Sequence, residues 1–441
     1  MVAILKHLSI EDYGPFNRLD VDLSDITILV GRNNTGKSTF LEAVTLLLLS
    51  VNNFNVPKLP IDPLFTFRTK GKYMVNLRSG KRLALISGKV DRQGIHDVKV
   101  RISVGADEFK DIYGVAIEKI VDLFIELTPE SREIVSNAFS RIRRIHGELR
   151  DIAARQAFAT FSNNVQKVLR SYVDYLQSEL TFIATYINDD PNPVNIVVIP
   201  PMPFSAPYVL IAPIGTIAMS NEVINKLIGM GFNADEANKL LNNQISKAFS
   251  RSIIIPGSIK ANISPINVNY PLSFPFTIDQ LPPDKQTELI DLLRREVNYF
   301  YDYRNGQVIL NFSNDGRISL PYDLMGNGFK ALVTMMGLII MGIDVAIIDE
   351  PEAHLHPGFM DVITRYMIQP RFLNHIQLIM ATQSMEFLDY LLNAAKEDGA
   401  LDKIKLIRLY LMPDGGIDYE QLSGEEAYDE RHNLEADLRG P

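Results

Sequence analysis

Residues Gly31-Arg-Asn-Asn-Thr-Gly-Lys-Ser-Thr39 constrain this chain more than any other stretch, because they join the apolar run Ile26 to Val30 to a long apolar run from Lys37 to Ser50. The first run reads as a buried strand and the second as a helix. A G-x-x-x-x-G-K-[ST] turn between a strand and a helix is a cradle for phosphate. Its glycines let backbone N–H groups close around the oxygens, and the helix amino end adds partial positive charge. Gly31, Asn33, Asn34, Thr35 and Gly36 then supply backbone, Lys37 reaches the β- and γ-phosphates, Ser38 ligates Mg²⁺ and Thr39 donates to the α-phosphate. ATP with Mg²⁺ is the expected ligand pair.

A second run, Val345-Ala-Ile-Ile-Asp349-Glu350, is an apolar strand ending in two acids. A strand buried on both faces holds Asp349 at its carboxyl end, where it binds Mg²⁺ through water. Glu350 then faces the attacking water as general base or water-orienting group, in a reaction driven by positioning and charge stabilisation.

Composition removes several alternatives. With 46% hydrophobic and 22% charged residues in 441, the chain is globular and long enough for two or three cores. No cysteine is present, which excludes disulfides, cysteine zinc sites, iron–sulfur clusters and cysteine nucleophiles. The longest apolar run, Ala331 to Ile343, falls short of the ~20 residues a bilayer requires and reads as a buried helix. The start, Met1-Val-Ala-Ile-Leu-Lys-His7, lacks the pattern of a secretory leader, so the expected location is the cytoplasm, without a membrane.

The chain reads in four parts. Residues 1–110 hold the phosphate loop and, from Tyr73 to Val104, an antiparallel β-lobe with turns at Ser87-Gly88 and Asp91 to Gly94. Residues 111–284 read as an inserted helical arm followed by a Pro-rich connection and a further helical piece from about Asn221 to Arg251. Within that piece, Gly229-Met-Gly-Phe232 resembles the loop of a small ubiquitin-binding module, although so short and common a string carries little. Residues 285–423 alternate helices and strands as the second half of an α/β layer, and 424–441 form an acidic, solvated tail.

The stretch Asp349-Glu-Pro-Glu-Ala-His-Leu-His-Pro357, with Gly31 to Thr39, Ala381-Thr-Gln-Ser384 and the opening Leu8-Ser-Ile-Glu-Asp-Tyr-Gly-Pro-Phe16, resembles the ABC-type ATPases of the SMC, RecF and double-strand-break-repair group. Within that group it is most similar to the OLD-type (overcoming lysogenization defect) ATPases. The resemblance covers roughly residues 1–50 and 285–423. It implies an α/β P-loop NTPase fold with an ABC-type head, an antiparallel β-lobe and a helical insertion, and an ATP-dependent homodimer that sandwiches two ATP molecules. A signature motif from each protomer would close on the other's γ-phosphate. Here that motif matches Leu324-Met-Gly-Asn-Gly-Phe-Lys330, with Gly326, Asn327 and Gly328 as the contacts.

Two positions depart from the family pattern. Met325 stands where transporter-like forms carry Ser, so Asn327 or Lys330 would have to replace the hydroxyl. Gln383 stands where the switch motif carries His; it can hydrogen-bond a phosphate but cannot take a proton, so slower turnover is expected. Gln93 lies in an apparent hairpin turn, a poor place for a glutamine loop. His354 and His356 read as shaping the acidic loop rather than as metal ligands. OLD nucleases append a metal-binding TOPRIM domain, and the 18 residues after Ser423 are too few for one, so any nuclease is expected on another polypeptide.

The overall charge of -9 conceals two basic regions. Ten basic residues (Arg68, Lys70, Lys72, Arg78, Lys81, Arg82, Lys89, Arg92, Lys99, Arg101) face two acids, Asp91 and Asp97. The insert sets Arg132, Arg141, Arg143, Arg144, Arg150, Arg155, Lys167 and Arg170 against Glu133, Glu148 and Asp151. Such tracks suit sequence-independent contact with duplex DNA phosphates. The expected function is thus a Mg²⁺-dependent ATPase that dimerises around ATP and binds duplex DNA in repair, maintenance or defence. The alternative is an ATP-gated scaffold for a separate nuclease, toxin or other effector. A transporter cassette is disfavoured by the long spacing between phosphate loop and acidic strand, and an SMC-like tether by the absence of sustained heptads.

Overall fold

The computed structural model describes residues 4–51, 74–76, 80–105, 121–146, 151–176, 181–191, 193–199, 214–249, 255–256, 268–269, 277–312, 316–341 and 343–440. They fall in two units, Met1–Val56 with Ile86–Lys99 and Asn262–Pro441, and Pro57–Leu85 with Val100–Ala261.

The first unit opens with an antiparallel hairpin of β1 (Leu5–Tyr13) and β2 (Phe16–Asp22), then β3 (Ile26–Val30) and α1 (Lys37–Val51). β1 also neighbours β4 (Leu83–Asp91), which turns at residues 92–94 into β5 (Ile95–Val104). The expected turn at Ser87-Gly88 is instead continuous strand. A Cβ at Gly88 would stand 2.7 Å from the His7 carbonyl oxygen and 2.6 Å from Leu47 Cδ2, so the glycine serves close packing, not reversal. Gln93 sits at φ +57° in the exposed hairpin turn, as its place in the sequence suggests.

The second unit carries the expected helices α2 (Pro129–His146) and α3 (Asp151–Leu176), the antiparallel pair β6 (Thr181–Ile187) and β7 (Asn195–Ile199), and then α4 (Ile214–Gly229), α5 (Ala234–Phe249) and the short β8 (Ile255–Pro256) against β7. Phe124, Val165, Leu169, Tyr172, Phe182, Leu227 and Leu240 form its core. Buried Gln244 is fully used: its amide donates to the Glu126 carbonyl at 3.0 Å and its oxygen accepts from Ser131 Oγ at 2.9 Å. The Gly229 to Phe232 loop is anchored to the core by its last residue. Phe232 is buried and stacks on Phe161 at 5.8 Å, while Gly231, at φ +98°, would push a Cβ to 2.7 Å from Ile142.

The first unit resumes with β9 (Val268–Asn269), α6 (Pro283–Glu296) and a three-stranded antiparallel sheet of β10 (Phe300–Arg304), β11 (Gln307–Phe312) and β12 (Gly316–Pro321). Then come α7 (Asn327–Ile340), β13 (Val345–Asp349), α8 (Pro357–Ile368), β14 (Gln377–Thr382), α9 (Met385–Glu397), β15 (Ile404–Leu411), β16 (Ile417–Ser423) and α10 (Gly424–His432). The central sheet has the order β16-β15-β3-β14-β13-β9, parallel except for β16. β3 and β14 are buried along their whole length, as strands covered on both faces by helices must be. Each fully buried Ile, Leu or Val there is worth about 1.5–3 kcal/mol. The fold is α/β of the P-loop ATPase kind, with an antiparallel sheet beside a mainly parallel core.

The tail is not wholly solvated. Ser423 caps α10 in a reciprocal box with Glu426, and Leu438 beyond it is fully buried. Among the described residues no helix is long and apolar enough to cross a membrane.

Candidate functional site

Parallel pairing decides where the chemistry gathers. Val30 of β3 is level with Thr382 of β14, and Asp349 of β13 with Ala381, so the carboxyl ends of three adjacent strands share one edge of the sheet. The phosphate loop leaves β3 there, the acids leave β13 and the switch residues leave β14.

The loop is built for close backbone approach. A Cβ at Gly31 would come within 2.7 Å of the Leu409 carbonyl oxygen, and Gly36, at φ +88°, would drive one to 2.8 Å from Phe16. Asn34 takes the left-handed region at φ +64°, which asparagine tolerates. Buried Thr35 donates its hydroxyl to Arg32 O at 2.9 Å, and Lys37 Nζ donates to the carbonyls of Gly31 and Arg32, each at 2.8 Å. The ammonium therefore hangs back over its own loop. Its burial lowers its pKa, opposed by the charges of Asp349, Glu350 and Glu352.

Ser38, at the first turn of α1, donates its hydroxyl to Asp349 Oδ2 at 2.7 Å. A hydroxyl and a carboxylate in contact form a hard-oxygen pair of the kind that suits Mg²⁺, which keeps most of its other ligands as water and phosphate. No group of three or more His, Cys, Asp or Glu side chains able to hold a metal occurs among the described residues. His356 is instead the N-cap of α8, its Nδ1 accepting from Gly358 N at 3.2 Å, and His354 lies at φ +67° in the preceding turn.

Glu350 stands at φ +52°, an uncommon region for this residue that costs on the order of 1–3 kcal/mol and is held here by its N–H donating to Ala381 O at 2.8 Å. Its exposed carboxylate accepts from Gln383 Nε2 at 3.0 Å. Two residues on, Glu352 accepts from Thr382 Oγ1 at 2.7 Å, while its Oε2 is buried with no hydrogen-bond partner among the described residues. Burial raises its pKa, and the nearby charge of Glu350 adds to the rise. The Thr382 hydroxyl also accepts from Ser384 N at 2.9 Å, and Ser384 caps α9. Glu352 and Thr382 lie within the acidic and switch motifs, but nothing in the sequence pairs them, because their contact forms only when β13 and β14 lie side by side.

Gly326 and Asn327 are exposed at the amino end of α7, with open space around a Cβ at Gly326. Gly328 is different: a Cβ would meet His354 O at 2.8 Å, so this helix end presses on the acidic loop. Met325 packs partly into the core and Lys330 Nζ donates to Asp323 O at 2.7 Å, leaving Leu324, 70% exposed, as the large outward side chain. The structure thus brings Gly31 to Thr39, Asp349, Glu350 and Gln383 together, whereas Gly326 and Asn327 face outward.

A family model described as "AAA ATPase domain" matches residues 4–252, more than half of the chain. The chain belongs to the AAA ATPase domain family. A second model, "AAA domain, putative AbiEii toxin, Type IV TA system", matches residues 232–389. An uncharacterised protein of Methanocaldococcus jannaschii is 30% identical over 118 residues, which is 26% of this chain and 100% of that protein. Solved structures with likeness include an SMC head bound to the C-winged helix domain of ScpA (TM-score 0.42, 12% identity, 96% of this chain and 100% of that one) and the SMC head of Thermotoga maritima (0.37, 13%, 96% and 100%). An SMC head of Pyrococcus furiosus with an extended coiled coil, bound to the C-terminal domain of ScpA, gives 0.39 at 14% identity over 98% and 99%. Likeness at this level says nothing about this chain's partners or assembly.

Proposed function

We propose that this AAA ATPase domain protein hydrolyses ATP at the edge formed by β3, β14 and β13, in an ABC-type composite site completed by a second copy. The contact of Ser38 with Asp349 carries the reading, because it joins phosphate loop and acidic strand as a nucleotide–cation site requires. Ser38 and Asp349 would hold Mg²⁺, which when bound offsets the charge on the phosphates. Lys37 would exchange its two loop carbonyls for phosphate oxygens, while the loop N–H groups of Asn33 to Thr39 close round the rest. Glu350, aimed by its left-handed backbone, would orient the attacking water and take its proton, and Gln383 would hold that carboxylate in place. Gly326, Asn327 and Gly328, at a helix amino end, would meet the γ-phosphate held by the second copy.

Duplex DNA is the proposed polymer partner. Exposed Arg132, Arg155, Lys167 and Arg170 on α2 and α3 support a phosphate track. Arg141 and Arg92 are otherwise engaged: Arg141 forms a bidentate pair with Glu236, and Arg92 pairs with Asp344 at 2.9 Å. Arg68, Lys70, Lys72, Arg78 and Arg150 lie outside the described residues, and the side chains of Arg143 and Arg144 are likewise not described.

The Gln383–Glu350 hydrogen bond favours a second reading. The amide contacting the proposed base cannot itself take or hold a proton as a histidine could, which suits slow hydrolysis and an ATP-gated scaffold for a separate effector. The match to a family described by a toxin system supports the same alternative. Steady-state hydrolysis at low salt, with and without random linear duplex DNA and with Glu350→Gln as blank, separates the two. Stimulation by DNA supports the DNA-handling ATPase; a measurable basal rate indifferent to DNA supports the scaffold; no rate above the blank refutes ATP hydrolysis.

A further inference from the structure

Residues 433–440 run from α10 back to the nucleotide edge of the first unit. Leu438 is fully buried, and its carbonyl accepts from Arg408 Nε on β15 at 3.0 Å. Gly440, at φ +96°, lies so near Tyr410 that a Cβ would stand 2.9 Å from its ring. Arg439 is therefore fixed on both sides by packed neighbours.

Its guanidinium is divided between two tasks. Nε and Nη2 grip the Asp437 carboxylate at 2.9 and 2.8 Å, and the Arg439 backbone N–H donates to the same carboxylate at 2.9 Å. Nη1 is left directed at the carbonyl oxygen of Gln383, at 3.5 Å. Asp437 also lies in the field of Arg32, a phosphate-loop residue. One short segment thus reaches the switch that holds Glu350 and sets its acid within the field of a loop residue.

We propose that Arg439, held by Asp437, is a positioning residue of the ATP site: it fixes the Gln383 peptide so that the Gln383 amide stays on the Glu350 carboxylate. The inference rests on the ATPase reading above. A planar fork with donors on two sides can hold a carboxylate and a carbonyl at once, whereas an ammonium on a flexible stem cannot keep both in fixed geometry. Arg439 acts on the reaction only through Gln383, so its contribution depends on the Gln383 side chain being present.

Steady-state kinetics on wild type, Arg439→Gln, Arg439→Lys, Gln383→Ala and the double variant Arg439→Gln with Gln383→Ala test this, with Glu350→Gln as blank and thermal melting alongside. Arg439→Gln is expected to lower kcat about tenfold, with KM for ATP changed by less than about twofold, and Arg439→Lys to fall between it and wild type. In the Gln383→Ala background the same change is expected to cost less than about twofold. Equal losses in both backgrounds would overturn the proposal, as would a raised KM at constant kcat or a lowered melting temperature with kcat intact. Should Arg439→Gln fail to fold, Asp437→Asn replaces it, with lower kcat at constant KM expected and unchanged kcat overturning the idea. A wild type no faster than the blank removes the ATPase reading itself; a fast wild type with an equally fast Arg439→Gln removes this inference alone.

Discussion

Ser38 Oγ donates to Asp349 Oδ2 at 2.7 Å, joining residues 311 apart in sequence. The pair is already in contact, so a cation entering there would displace one hydrogen bond and meet two placed oxygens. Asp349→Asn removes the negative oxygen while keeping the shape. Hydrolysis is expected to fall on the order of 10²–10³-fold, and the extra thermal stabilisation that Mg²⁺ adds to ATP should vanish. Chelating the metal from wild type should reproduce both effects, as followed by phosphate release and by melting. Unchanged metal dependence in Asp349→Asn would remove Asp349 from the cation site.

Lys37 presents the opposite case, a cation resting on carbonyls of its own loop. Its replacement by Ala costs two hydrogen bonds that water can largely restore, so the melting temperature without nucleotide should move little. If ATP binds the folded state through this ammonium, the stabilisation it adds follows RT ln(1 + [L]/Kd). A melting shift of several degrees with saturating ATP in wild type should therefore be nearly absent in Lys37→Ala. An equal ATP-induced shift in both proteins would refute phosphate contact by Lys37.

Gly326 and Gly328 separate structure from function at one helix end. Alanine at Gly328 meets His354 O, so it should destabilise by about 1–3 kcal/mol through forced movement of the acidic loop. Alanine at Gly326 meets nothing and should melt like wild type. If this end closes on the γ-phosphate held by a second copy, Gly326→Ala should still weaken ATP-dependent dimerisation of Glu350→Gln, measured by light scattering. Undiminished dimerisation would place the composite contact elsewhere.

The strand, loop and helix from Ile26 to Val51 are legible in the sequence because local pattern and tertiary environment agree there, and the same holds for Val345–Asp349. Glycines are less transparent. Gly88 reads as a turn residue, yet it exists for the His7 carbonyl beside it on a neighbouring strand, a contact that no local window contains. The burial of Phe232 and the tight seat of Gly231 are hidden for the same reason: their partners, Phe161 and Ile142, lie far back in sequence. Leu438 is one apolar residue among charges without periodicity, so nothing local announces its burial, and with it the approach of Arg439 to Gln383 is invisible until β15 and β14 are placed.

Glu352 supplies a pH signature. Burial raises its pKa above the usual glutamate value, so between that value and the folded-state pKa the native protein holds a proton that the unfolded chain has lost. Stability from this group is therefore fully present below the unfolded pKa and falls as pH rises through the folded one. Glu352→Gln retains an oxygen to accept from Thr382 Oγ1 but cannot ionise, so it lacks that slope. The melting temperature of the variant relative to wild type should rise as pH increases from about 4.5 through the raised pKa, then level off. Thermal melting of both proteins at a series of pH values checks it. A difference independent of pH would mean that the Glu352 carboxyl titrates alike in the folded and unfolded chain.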